Sequence, residues 1–262
     1  MTLIQAVAWC AVLYFMLNIA TLALALAWPG RQLSIVHVGA VHLFVISMLC
    51  YAPVRVYEGG RLVWSELGLW GKRLGLTAVP ARQLWLGAGL GLAIKYPADA
   101  LRVMIEEVAP TPQYELAAKE QLLRHETPTQ VLALFLIIGL LGPLLEELFY
   151  RGVIFRYLAL ARGAAAAWVL TSLAFTITHA SFRDWPSLLM VAVVLGFLRW
   201  RFESIGPSVA GHVVFNVIAL VALTSGVPIV EQRPEISWPA LLVSGLLLLG
   251  LLVTAARTNS RP

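Results

Sequence analysis

The apolar residues of this chain fall into long, nearly uninterrupted runs, and the polar residues are confined to the stretches between them. A transmembrane helix needs about 20 apolar residues, so the pattern predicts an all-α, polytopic transmembrane helical bundle with about eight spans. The runs lack period-2 alternation, which favours helices over a membrane β-barrel. The predicted spans cover residues 3–28, 33–54, 83–100, 129–157, 163–180, 186–200, 205–223 and 238–256.

Two longer polar stretches separate the predicted spans. Residues 55–82 mix tryptophan with Lys and Arg, a combination typical of an interfacial connector on the membrane surface. Residues 101–128 are rich in glutamate and are broken by Pro110 and Pro112, so we expect a solvated polar loop with some helix. Because we find no internal repeat, we expect residues 1–262 to form a single membrane domain.

Composition strengthens this prediction. The chain is 60% hydrophobic and 13% charged, with a net charge of +5, whereas soluble domains average about 45–50% apolar and about 25% charged residues. The Lys and Arg residues sit singly between spans, so we expect contact with the lipid bilayer and no nucleic-acid partner. More of them fall on the side that holds both termini, which predicts an integral, multi-pass protein with both termini in the cytoplasm.

Three charged residues interrupt the fourth predicted span. A charge deep in a bilayer costs roughly 2.5–3.5 kcal/mol and usually marks function. Glu147 and Arg151 are i,i+4 neighbours on a helix, with the acid N-terminal to the base, which favours a structural ion pair. Glu146 is turned about 100° away from Glu147 and has no such partner. We therefore interpret Glu146 as the reactive residue and the Glu147–Arg151 pair as structural.

Polar side chains in later spans could form one hydrolytic site together with Glu146. His179 lies near the end of the fifth span, and His212 and Asn216 lie one turn apart in the seventh. Glu146, His179 and His212 are the ligand types of a hydrolytic zinc site with an open position for water. Alternatively, Glu146 acts directly as general base on water, while His179, His212 and Asn216 orient the water and stabilise the oxyanion. Either arrangement hydrolyses an acyl bond, and we expect a peptide bond.

The same spans place His179 far from the cytoplasmic edge and His212 near it. A helix rises about 1.5 Å per residue, so the two predicted depths differ by more than one site allows. A shared site therefore requires helices that tilt, break or begin at different depths.

These residues resemble the CAAX-protease and bacteriocin-processing family of intramembrane proteases. That family carries the patterns Glu-Glu-x-x-x-Arg, Phe-x-x-x-His and His-x-x-x-Asn or Asp in successive parts of a multi-helix bundle. The resemblance covers about residues 131–223, within a motif-bearing core at about 129–225. The matching residues are Glu146-Glu147 with Arg151, Phe175 with His179, and His212 with Asn216.

The resemblance implies that Glu146 activates water, that His179 and His212 complete the site, and that Asn216 assists the oxyanion. It implies hydrolysis of a peptide bond in a membrane-associated or lipid-modified protein or peptide, as in CAAX-type processing. Family members are described both as metalloproteases and as metal-independent glutamate proteases, so zinc remains one of two alternatives. A non-catalytic scaffold or bacteriocin-immunity protein that retains the polar core is a rival hypothesis for function. A transporter whose Glu and His relay protons is a second rival, which the absence of two related halves in the sequence disfavours.

Overall fold

Helices account for all the regular secondary structure in the part of the chain that the computed structural model describes, residues 1–29, 33–57, 71–179, 181–225 and 236–258. The predicted all-α fold class is therefore confirmed. In chain order the helices are α1 (Leu3–Ala27), α2 (Ile35–Tyr57), α3 (Ala81–Val108), α4 (Gln113–Leu122), α5 (Pro128–Arg162), α6 (Ala164–Ile177), α7 (Trp185–Phe202), α8 (Gly206–Leu223) and α9 (Trp238–Arg257).

Local sequence signals set several of the helix ends. Thr2 and Gln5 form a reciprocal capping box at the start of α1, and Thr127 and Gln130 form another at the start of α5. Each box satisfies backbone N–H groups that would otherwise lack partners in an apolar medium. Gly163 separates α5 from α6 with φ of +85°, a left-handed conformation that glycine adopts without steric cost.

Six helices in the described part of the chain are long and apolar enough to cross a membrane: α1, α2, α5, α7, α8 and α9. Helix α6 has 14 residues and is about 21 Å long, which is shorter than the roughly 30 Å hydrocarbon core. Helix α3 is long but carries charged residues, including the ion-paired Lys95 and Asp99. The chain is an integral multi-pass protein, and the predicted count of eight crossings stays a prediction.

The polar stretch at 101–128 is more ordered than the expected loop. Helix α3 continues into it as far as Val108, and α4 occupies its centre. Ion pairs tie this stretch to the segment that follows α6, with Arg102 3.2 Å from Asp184 and Arg183 3.5 Å from Glu115. These ion pairs help to order the stretch, and hydropathy does not reveal them because it does not report which charges pair. The predicted interfacial connector at 55–82 lies outside the described residues at positions 58–70, while α2 reaches into its start and α3 into its end.

Helices α3 and α8 pack with their backbones in direct contact. A Cβ atom placed at Gly87 would overlap the carbonyl oxygen of Pro207, and one at Gly91 would overlap that of Gly211. Small residues spaced four apart permit this approach, which is a common way of joining helices in membranes. The contact holds α8, the helix that carries His212 and Asn216, in place.

We expect Gly91→Ala to lower the free energy of unfolding by about 1–3 kcal/mol, because the added methyl group forces the two backbones apart. Gly250→Ala in α9 is the matched control, since a Cβ there meets no atom within 4 Å. The measurement is thermal unfolding of the purified protein. Equal melting temperatures for the two variants would contradict the close α3–α8 contact.

Helix α8 begins about level with Gly152 of α5, well short of the end of the α5–α6 hairpin, which answers the problem of the two predicted depths. The backbone N–H of Ile205 donates to Gly75 O at 2.9 Å, and Leu74 lies against Gly152 of α5. From Gly152, α5 runs on for about 15 Å to its end at Arg162. The α5–α6 hairpin thus extends beyond the start of α8, so His212, early in α8, reaches the level of the acidic pair.

Candidate active site

The two adjacent carboxylates lie on a short regular segment of α5 between two wider, π-helical segments. The regular segment is Gly142–Glu147, and the wide turns are Phe135–Leu141 and Leu148–Ile154. Wide turns of this kind redirect the side chains around them and are frequent at functional sites. Here they flank the segment that carries Glu146, the residue that the sequence analysis predicts to be reactive, and Glu147.

Glu147 and Arg151 form an ion pair in the interior of the bundle. Arg151 Nη1 donates to Glu147 Oε1 at 3.0 Å, and both side chains are completely buried. Arg151 also donates through Nη2 to Ala192 O at 3.2 Å and lies over the ring of Phe175, 4.6 Å from its centroid. The guanidinium therefore joins α5, α6 and α7 as well as neutralising Glu147.

His212 meets both carboxylates. Its Nδ1 lies 3.0 Å from Glu147 Oε1, and its Nε2 lies 3.8 Å from Glu146 Oε2. A carboxylate only accepts hydrogen bonds, so Nδ1–H is the donor to Glu147, and in the neutral ring Nε2 keeps its lone pair toward Glu146. Glu147 thus orients His212 in addition to pairing with Arg151, a second role that the i,i+4 spacing did not indicate.

His179 joins the site through Phe175. It lies just beyond the last residue of α6, and its Nδ1 donates to Phe175 O at 2.7 Å. The ring of Phe175 lies 4.6 Å from that of His179 and 5.8 Å from that of His212, measured between centroids. The two imidazoles therefore flank one aromatic side chain. Trp185 Nε1 of α7 donates to His179 O at 3.0 Å, and within the described residues the hydrogen bond of the imidazole is to Phe175 of α6 and not to Glu146.

Asn216 fixes α8 against the first wide turn of α5. Its Nδ2 donates to Ile138 O at 2.9 Å. A side-chain amide carries two N–H donors, so one remains for another acceptor. Asn216 is thereby held close to the helix that carries Glu146.

Arg199 is a residue of this region that the sequence analysis did not single out. Its Nε donates to Arg151 O at 2.9 Å, which secures the second wide turn from α7. In the sequence Arg199 is one of several basic residues near the end of a predicted span, and only its burial in the structure separates it from the others.

The donors of this site have the chemistry of zinc ligands, but they do not gather as a ligand set. Among the residues that the structure describes, no three His, Cys, Asp or Glu side chains lie close enough to share a metal ion. Zinc is normally held by three or four such groups at about 2.0–2.3 Å. Glu146, His179 and His212 as they lie do not fit that requirement.

Comparison with known proteins supports the resemblance found in the sequence. No curated protein and no solved structure matches the chain significantly. Residues 128–218 match the family model described as type II CAAX prenyl endopeptidase Rce1-like. This range begins with α5 and ends two residues after Asn216, so it contains each side chain of the candidate site. The chain therefore carries a domain of the Rce1-like family of CAAX prenyl endopeptidases over residues 128–218.

Proposed function

We propose that the protein is an intramembrane endopeptidase that hydrolyses a peptide bond in a membrane-associated or lipid-modified protein or peptide. The observation that carries the proposal is the placement of His212 between two carboxylates, one completely buried and one partly exposed. The buried carboxylate positions the imidazole, and the exposed one is left to react. The family match adds prenylated membrane proteins as the substrate class.

In the proposed reaction Glu146 is the general base. Its carboxylate takes a proton from water, and the resulting hydroxide attacks the carbonyl carbon of the scissile bond. The carbonyl π electrons move to oxygen and form a tetrahedral oxyanion. When the C–N bond breaks, protonated Glu146 returns its proton to the leaving nitrogen. The products are a carboxylic acid and an amine, and Glu146 regains its starting form.

His212 and His179 are proposed to hold the water and complete the site. The Nδ1 atom of each ring donates to a protein oxygen, Glu147 Oε1 and Phe175 O respectively. Each neutral ring then offers Nε2 as an acceptor for a water proton. The second N–H of Asn216 is the proposed donor to the oxyanion, where a single well-placed donor contributes about 2.7–4 kcal/mol.

The topology proposed with this function keeps eight crossings and places both termini in the cytoplasm. The number of crossings comes from the apolar runs, and the orientation comes from the Lys and Arg distribution through the positive-inside rule. A reporter that is active only in the cytoplasm, fused to the C-terminus, checks the location of that terminus. Activity of a reporter that requires export would contradict it.

We expect His212→Ala and His179→Ala each to lower cleavage of a lipid-anchored peptide library by about 10²-fold or more. The matched control is His37→Ala, because the side chain of His37 is exposed and contacts Ser34 of its own helix end. The measurement is product detection by mass spectrometry with the full chain in lipid nanodiscs. Near wild-type turnover in either variant would remove that histidine from the site.

Metal analysis of the same samples tests the zinc alternative. About one zinc per wild-type chain, together with loss of cleavage on chelation, would favour a metalloprotease whose ligands gather only in the loaded enzyme. Cleavage that persists without stoichiometric metal would favour Glu146 as a direct base. A wild-type protein that cleaves nothing would favour the non-catalytic scaffold or immunity protein.

A further inference from the structure

A cavity of about 370 Å³ lies at the end of α7, outside the site described above. Its walls come from the C-terminal turn of α7, the α5–α6 hairpin and residues 72 and 73. A volume of this size falls within the range of small-ligand sites, about 300–1,000 Å³. Four basic side chains and one acidic side chain line it: Lys72, Arg73, Arg156, Arg199 and Glu203.

We propose that this cavity binds the phosphate group of an anionic phospholipid headgroup. Positive side chains outnumber negative ones on its walls, and three of the four cations are arginines. The planar guanidinium presents paired N–H donors that match the oxygens of a phosphate. Basic pockets between membrane helices on the cytoplasmic side are suited to anionic headgroups, and the Lys and Arg distribution predicts that this side is cytoplasmic.

Two of the cations are held in place by backbone oxygens. The side chain of Arg199 is only 8% exposed, its Nε donates to Arg151 O, and its guanidinium lies over the ring of Phe155, 4.8 Å from the centroid. Arg156 Nη1 donates to Arg73 O at 3.3 Å, which joins the hairpin to the segment at 71–75. Groups that are ordered before binding lose less conformational entropy when a ligand arrives.

The position of the cavity along the membrane normal favours a lipid over a soluble phosphate. Helix α7 has 18 residues and is about 27 Å long, close to the thickness of the hydrocarbon core, so an α7 that crosses the membrane has its last turn at headgroup level. Trp200, another wall residue, is 40% exposed and stacks on Trp168 at 5.0 Å. Tryptophan is enriched at this level of membrane proteins.

The cavity is separate from the proposed hydrolytic site, so its ligand can be measured without an activity assay. Its lining does not include Glu146, His179 or His212. Arg199 connects the two places through its hydrogen bond to the backbone of Arg151. Failure of the lipid proposal would therefore leave the proposed function standing, and the reverse also holds.

The test compares binding of phosphatidylglycerol and phosphatidylcholine to the purified full chain by native mass spectrometry. We expect wild type to bind phosphatidylglycerol more tightly. Each cation removed should weaken that binding about fivefold, so Lys72→Gln/Arg156→Gln should weaken it about 25-fold. Arg257→Gln, at an exposed position in the last turn of α9, is the matched control and should leave the affinity for phosphatidylglycerol close to that of wild type.

Each remaining outcome decides the proposal. Wild-type affinity in the double variant, or an equal loss in Arg257→Gln, would overturn a specific site. Displacement of phosphatidylglycerol by millimolar inorganic phosphate would show that the site takes a free anion and would overturn the lipid assignment. If the double variant does not fold, Lys72→Gln and Arg156→Gln are measured singly, and a loss of about fivefold in each supports the site, whereas no loss in either overturns it.

Discussion

Replacing Glu146 by glutamine is expected to lower the rate of peptide cleavage by about 10²–10⁴-fold while leaving the melting temperature close to that of wild type. Glutamine keeps the size of the side chain but does not accept a proton from water. The side chain of Glu146 is 28% exposed, and its Oε2 lies 3.8 Å from Nε2 of His212. Removing its charge therefore leaves no completely buried group without a partner, so the effect falls on the chemical step.

The adjacent position supplies the comparison that separates chemistry from structure. Glu147 is completely buried and accepts from both Arg151 and His212. Glu147→Gln should therefore lower stability as well as activity, because an amide does not neutralise the arginine. A melting temperature that falls as far in Glu146→Gln as in Glu147→Gln would contradict the division of roles between the two carboxylates.

The Glu146→Gln variant also shows whether Glu146 is a catalytic base or a metal ligand. If Glu146 is a direct base, Glu146→Gln should lose activity without changing the metal content of the protein. If wild type holds stoichiometric zinc and Glu146→Gln loses it, Glu146 acts as a ligand. Cleavage at the wild-type rate in Glu146→Gln would remove Glu146 from the reaction altogether.

Hydropathy was sufficient for the fold class but not for the lengths and depths of individual helices. An apolar run indicates that a helix lies in an apolar environment, but it does not fix the length of that helix. Helices α6 and α3 are the two examples. Helix α6 is apolar but short, while α3 is long and carries an ion pair, Lys95 with Asp99, that neutralises two of its charges locally. The depth at which α8 begins depends on the contact between Ile205 and Gly75. A contact across more than a hundred residues leaves no periodic pattern in the sequence.

The sequence contained the residues of the candidate site but not their geometry. The i,i+4 spacing of Glu147 and Arg151 predicts their contact because both lie on one helix. The contact of Glu147 with His212 joins α5 to α8 and depends on two wide turns and on the close α3–α8 packing. For the same reason the role of Arg199 is visible only after the helices are assembled.

Replacing Arg151 by methionine is expected to lower the free energy of unfolding by about 3–5 kcal/mol. Methionine occupies much of the volume of the arginine side chain but leaves the completely buried Glu147 without its counter-ion. The destabilisation comes from the uncompensated buried charge, and removing both members of the pair destabilises the protein much less. The measurement is thermal or denaturant unfolding of the purified protein, with Arg257→Met in the exposed last turn of α9 as the matched control.

The double variant Glu147→Gln/Arg151→Met tests this explanation directly. It removes both charges, so most of the loss seen in Arg151→Met should be recovered. A remainder of about 1 kcal/mol is expected because the hydrogen bond from Arg151 to Ala192 O is also gone. If the double variant instead loses the sum of the two single effects, the two side chains are not energetically coupled, and the ion pair does not explain the buried charges of α5.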